Sequence, residues 1–260
     1  MPTTRPHLRS ARRAVGPVDD TRLPLQEHLA ELRVRLFRVL IACLLGAAAT
    51  WSFREEIFGL LLQPAISVLG NEGRPLQAIA PTEIFFTYLK CSVLAGFVLA
   101  LPVVFWQIWA FVAPGLYPNE KSAILPFVIT STLLFGAGAF FGYKMVFPLM
   151  FEFFSSFDSE FVQSAWTMRE VFAMTTRLFL AFGVAFELPV AVFFLSMVGI
   201  VDAPTLLRGT PYAILMMFLI AAVLTPPDWV SQIFLALPMV VLYLVGVGVA
   251  FIFGGKRDAA

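Results

Sequence analysis

The sequence predicts an all-α integral membrane protein of six transmembrane helices, with both termini on the cytosolic side. Three observations lead there. Of 260 residues, 59% are hydrophobic and 13% charged, about half the roughly 25% charge of a soluble domain. Apolar runs of membrane length recur along most of the chain, and mean hydropathy is +0.85. The basic residues, finally, are unevenly shared between the two sides.

Residues 1–23, rich in arginine, proline and glycine with no apolar run, are expected to form a disordered basic tail. No hydrophobic region follows Arg12-Arg13, so an export signal is not expected there. Pro24–Arg38 reads as an amphipathic interfacial helix: Leu25, Leu29, Leu32 and Leu36 form one stripe, and Glu31 is placed to pair with Arg35 at i,i+4. The helix feeds a first span over Val39–Phe53, where Gly46 and Ala47–Ala49 permit close helix contact. The polar stretch 54–83 reads as an outer cap whose apolar pieces, Ile57–Leu62 and Ala65–Leu69, are too short to cross.

A second span over Ile84–Val112 is longer than the bilayer core and must tilt, kink at Pro102 or project. The turn after Trp106–Val112, marked by Pro114, Gly115 and Pro118, holds a lone carboxylate, Glu120, at the interface. The third span, Ser122–Met150, has a small-residue face at Gly136, Gly138 and Gly142, and Lys144 is able to snorkel near its far end. An outer loop, 151–168, precedes the fourth span, 169–200, which contains Glu187. An inner turn over Val201–Pro211 leads to a short fifth helix of 13 apolar residues, Tyr212–Leu224. The turn Thr225–Asp228 opens the sixth span, Trp229–Phe253, and residues 254–260 form a tail. The membrane domain is thus 24–253.

Twelve of the 18 basic residues fall on the side of the termini, which by the positive-inside rule makes that side, and Glu120, cytosolic. Leu-Pro pairs at 101–102, 188–189 and 237–238 lie in parallel-running spans, unlike a three-plus-three inverted repeat. His28 with Glu31 has no further metal-ligating neighbour, and Cys43 and Cys91 lie in separate apolar spans. No hydrolase or phosphate-binding motif is present, so an enzyme, a metal and a cofactor are not expected. Nucleic acid is not expected as a partner.

The carboxylates are therefore the candidates. Glu187, deep in a span beside Pro189, reads either as a protonated group bonding a carbonyl freed by the proline, or as a contact for another helix or a proton-linked site. Glu31 and Glu120 read as solvated interfacial charges or as a cation site. Asp228 reads as a possible structural cap of the sixth helix.

HLAELRVRL at 28–36, WQIWAFVAPGLYPNE at 106–120, FGVAFELPV at 182–190 and LTPPD at 224–228 together resemble the TatC family, the multi-spanning core subunit of the twin-arginine protein translocase. The resemblance covers about residues 24–253 and differs at Pro118-Asn119. It implies a receptor in the cytoplasmic (inner) membrane of a prokaryote, binding twin-arginine signal peptides of folded proteins. Single-span partners of the TatA and TatB type and use of the proton-motive force are implied as well, with self-association a further option. By the same carry-over Glu120 and Glu31 bind the arginines, Arg33 holds Glu31 or shapes the site, and Phe111, Leu116 and Tyr117 give apolar contact. Glu187, Thr225 and Gln232 meet partner helices. A small-solute secondary transporter is the alternative.

Overall fold

The computed structural model describes residues 25–70, 76–112, 124–162, 164–225 and 228–253. Among these it is helical, with six segments long and apolar enough to cross a membrane. Six crossings bring residues 25 and 253 to one end of the bundle, here the terminal end. The opposite end is distal.

The expected interfacial helix and first span form one uninterrupted helix, α1 (Leu25–Thr50), with no break at Arg38. At about 1.5 Å per residue it is about 39 Å long, so its first turns stand outside the hydrocarbon core. Leu29, Leu32 and Leu36 face away from the protein, as the stripe of an interfacial helix should. α1 packs on α3 (Pro81–Val112). The approach is possible because Gly46 and Gly96 meet there: a Cβ on Gly96 would lie 2.2 Å from the Ala47 nitrogen.

The stretch expected as a loose cap of two short apolar pieces is instead largely a single 17-residue helix, α2 (Arg54–Gly70), following a short 3₁₀ turn at Trp51–Phe53. Pro64 lies inside it and has no N–H to give the Leu60 carbonyl. The Tyr143 hydroxyl donates to that carbonyl at 2.6 Å, so the proline leaves no orphan.

The third span comprises α4 (Ile124–Phe141), a π-helical turn (Gly142–Val146) and α5 (Phe147–Ser155), continuing past the expected end at Met150. Gly138 and Gly142 of its small-residue face abut Phe182 of α6 (Met168–Ala185). Gly136 faces open space. The fourth span breaks at Phe186-Glu187, where Pro189 removes the bond to the Ala185 carbonyl, and resumes as α7 (Leu188–Met197). Gly199, at φ 75°, ends that span with left-handed backbone.

The fifth helix, α8 (Ala203–Leu224), begins well before Tyr212: Pro204 occupies its first turn and Pro211 is accommodated inside it. It therefore spans 22 residues, still the shortest of the six. α9 (Trp229–Phe253) completes the bundle and packs on α7 and α8.

Two aromatic cores hold the helices. Leu62, Phe147, Met150, Phe151, Leu178, Phe182 and Leu235 are fully buried where α2, α5, α6 and α9 converge. Near the terminal end Trp109 stacks on Phe127 and meets Phe194 edge-on, while its indole donates to Ser131 Oγ at 3.1 Å. At the distal end Gln77 pairs with Trp166 and Met168 through backbone bonds of 3.0 and 2.8 Å. Glu83 there accepts from the Ile79 and Arg169 N–H groups, both at 3.0 Å.

Candidate functional site at the terminal end

α1 and α3 run side by side to the terminal end, and the candidate residues gather where they finish. Glu31 and Arg35 stand one turn apart, and the expected pair is formed: Arg35 Nε donates to Glu31 Oε1 at 2.9 Å, and Nη2 reaches the same oxygen. Arg35 also crosses to α3, where Nη1 donates to Gln107 Oε1 at 3.4 Å. Among the described residues Glu31 Oε2 accepts no hydrogen bond, so it can receive a second guanidinium.

Arg33 does not hold Glu31. It is exposed on another face of α1, with its guanidinium 6.0 Å from the Phe37 ring centroid. The positioning residue is Arg35. Phe111 lies one helical turn beyond Gln107, and its ring stacks on His28 with centroids 4.3 Å apart and 15° between the planes. The structure thus brings Glu31 and Phe111 to one seam through two links, Arg35–Gln107 and His28–Phe111. Sequence reasoning did not assign these roles to Gln107 and His28. The only hint was their place inside the two quoted motifs. Glu120, Leu116 and Tyr117 lie outside the described residues.

The other candidates are elsewhere. Glu187 sits in the break between α6 and α7, and its Oε1 is buried without a hydrogen-bond partner. Its own N–H bonds the Val184 carbonyl and its carbonyl accepts from Ala191, so the backbone is satisfied; the carboxyl faces Ser131 and the Phe135 backbone of α4, with Oε1 left over. Such a group in a membrane span calls for a polar partner. Thr225 is buried, and its hydroxyl donates back to the Ala221 carbonyl at 2.9 Å. Gln232 Nε2 donates to the Phe218 carbonyl at 2.8 Å, tying α9 to α8. Asp228 Oδ1 accepts from the Ser231 N–H at 2.7 Å, an N-cap bond for α9. Among the described residues no group of His, Cys, Asp and Glu could hold a metal ion.

A family model described as Sec-independent protein translocase protein (TatC) matches residues 27–238. A TatC protein of Desulforapulum autotrophicum is 42% identical over 241 residues, covering 93% of this chain and 89% of its own. One from Magnetococcus marinus is 41% identical over 228 residues, covering 88% and 84%. The crystal structure of a twin-arginine translocase receptor, TatC, superposes with a TM-score of 0.77 at 32% identity, over 86% of this chain and 98% of that one. The family match, the sequence identity and the superposition agree: the chain belongs to the TatC family of multi-pass membrane translocase components.

Proposed function

We propose that this chain is the receptor subunit of a twin-arginine translocase, binding paired-arginine signal peptides of folded proteins at the terminal end of the bundle. The observation that supports it most is the seam between α1 and α3. Glu31 is oriented there by Arg35, with one carboxylate oxygen left to accept, and Phe111 leads directly toward the loop that carries Glu120. A guanidinium is a planar fork, always charged, that matches a carboxylate with two parallel bonds. Two successive arginines therefore suit two carboxylates, Glu31 and Glu120, with Phe111, Leu116 and Tyr117 covering the apolar part of the peptide. Arg33, exposed on another face of α1, adds to the surrounding charge.

In this reading the terminal end is cytosolic, in keeping with the bias of basic residues, and the membrane is the inner membrane of a prokaryote. Single-span partners of the TatA and TatB type complete the translocase, which runs on the proton-motive force. Glu187, with an unpartnered buried oxygen, is the contact for a polar group on one such helix. Thr225 and Gln232 act differently. Their side chains hold the α8–α9 hairpin in shape, and the hairpin as a whole is what a partner meets. No observation favours a small-solute transporter.

The test is photo-crosslinking of a signal peptide to a probe beside Glu120. An Arg-Arg peptide is expected to crosslink at least about tenfold more than its Lys-Lys counterpart, since loss of a bidentate charged bond removes about 1.5–3 kcal/mol. Glu120→Gln and Glu31→Gln are each expected to abolish that preference. Equal labelling by both peptides, unchanged in the variants, would refute the assignment. Glu187→Ala should leave peptide binding intact and impair export.

A further inference from the structure

A cavity of about 710 Å³ opens between α2, α3 and α4 on the distal half of the bundle, and neither the peptide site nor the partner contacts use it. Its walls are apolar. One side runs from Cys91 to Leu101 on α3, the other from Phe135 to Phe140 on α4. Its mouth is polar, formed by Gln63, Tyr143 and Lys144. From Phe135 to Lys144 is nine residues, about 14 Å along the helix. Leu99 and Phe140 line it while remaining 62% and 63% exposed, so it opens sideways to the membrane interior.

The mouth lies at a definite depth. Three cations occur well inside the distal ends of the long spans: Lys90 in α3, Lys144 in the third span and Arg177 in α6. The distal ends of α3 and α6 are level, because Glu83 bonds the Arg169 N–H and Gln77 pairs with Trp166 and Met168, and Phe151 of α5 meets the Trp166 ring edge-on at 5.9 Å between centroids. Lys90 and Arg177 are each nine residues in from their helix starts at Pro81 and Met168, and Lys144 is eleven before Ser155. The parts that remain toward the terminal end, 90–112, 124–144 and 177–197, are each about 30–33 Å long. That is the thickness of the hydrocarbon core, roughly 30 Å. The three cations mark the distal headgroup level, and the outer turns of these helices stand above the bilayer.

Lys144 is exposed, has its ammonium 5.5 Å from the Tyr143 ring centroid, and forms no ion pair with a carboxylate among the described residues. Gly136 adds an independent sign. Gly138 and Gly142 are required for α4 to meet α6, but a Cβ on Gly136 would meet nothing within 4 Å. Its missing side chain leaves room inside the cavity rather than permitting a helix contact.

We propose that this cavity is a phospholipid site of the distal leaflet. One acyl chain runs down between α3 and α4, and the phosphate of an anionic headgroup rests on Lys144 with Gln63 beside it. The volume falls within the range of ligand pockets, roughly 300–1,000 Å³. The walls between α3 and α4 are apolar along this length, and a flexible acyl chain can follow them. Charge selects the headgroup: an unpaired ammonium at the interface attracts phosphate, and more so when a zwitterionic amine does not compete.

The test is native mass spectrometry of the full chain, purified in detergent and incubated with equal phosphatidylglycerol and phosphatidylethanolamine. One retained phospholipid is expected, phosphatidylglycerol over phosphatidylethanolamine by about tenfold. Lys144→Gln, an exposed substitution that the fold tolerates, should erase that preference. Gly136→Leu should reduce retention of both lipids at least tenfold by filling the chain channel. Retention that is indiscriminate and unchanged in Lys144→Gln would overturn the proposal, whether or not Gly136→Leu folds. So would a photo-crosslinker at Leu99 that captures a signal peptide or partner helix in place of lipid.

Discussion

The two ends of the bundle are held by different kinds of bond. At the distal end the hydrogen-bonded links engage the backbone on at least one side: Gln77 pairs with Trp166 and Met168 through main-chain bonds, and the Glu83 carboxylate takes the N–H groups of Ile79 and Arg169. At the terminal end the described links are side chains reaching between two helices, Arg35 to Gln107 and His28 to Phe111. Backbone pairing fixes the chain path regardless of rotamer. Side-chain links can be exchanged for contacts to an incoming peptide. In the proposed receptor role, binding and releasing many sequences gives reason to keep exchangeable bonds at one end and fixed ones at the other.

That contrast can be broken from a distance. Gly96→Leu should have the largest effect, because its Cβ would enter the Ala47 backbone and push α1 from α3. We expect a loss of about 3 kcal/mol. Peptide binding should disappear although no site residue is altered, while amide exchange at Gln77 and Met168 stays slow. Glu83→Ala should do the reverse. Losing two exposed carboxylate bonds removes about 1–2 kcal/mol, read as faster exchange at Ile79 and Arg169 with peptide affinity unchanged. His28→Ala removes one ring stack, about 1 kcal/mol, and should weaken peptide binding about fivefold in a titration. Gln107→Ala should be mildest. The bond it deletes is long at 3.4 Å, and a twofold to threefold loss of affinity corresponds to about 0.5 kcal/mol. If Gln107→Ala matched Glu31→Gln in effect, Arg35 would be part of the binding surface and not merely a support.

What the sequence made legible follows from how local each signal is. Membrane-length apolar runs, the Glu31–Arg35 pair and the Asp228 cap are all readable within a few residues, and each has its counterpart in the structure. α2 was misread because Pro64 between two short apolar pieces looks like a break. Its repair comes from Tyr143, 79 positions further along the chain. The first turns of α8 read in sequence as an inner turn for a similar reason, since Pro204, Arg208 and Pro211 look like punctuation until the helix is seen to accommodate them. At the site, the i,i+4 spacing within α1 already sets Arg35, and not Arg33, against Glu31. What no spacing within α1 reveals is the tie from Arg35 across to Gln107 on α3.

The π-helical turn at Gly142–Val146 has a consequence for anyone comparing relatives of this chain. A π turn amounts to one residue inserted into a helix, and it rotates everything after it by about 100°. The third span therefore obeys two helical wheels, one up to Phe141 that turns Gly138 toward α6, and another from Phe147 that turns Met150 and Phe151 into the core beneath α2. A relative lacking one residue here would keep its hydropathy profile and lose that second orientation. An ungapped comparison would align residues that point in different directions.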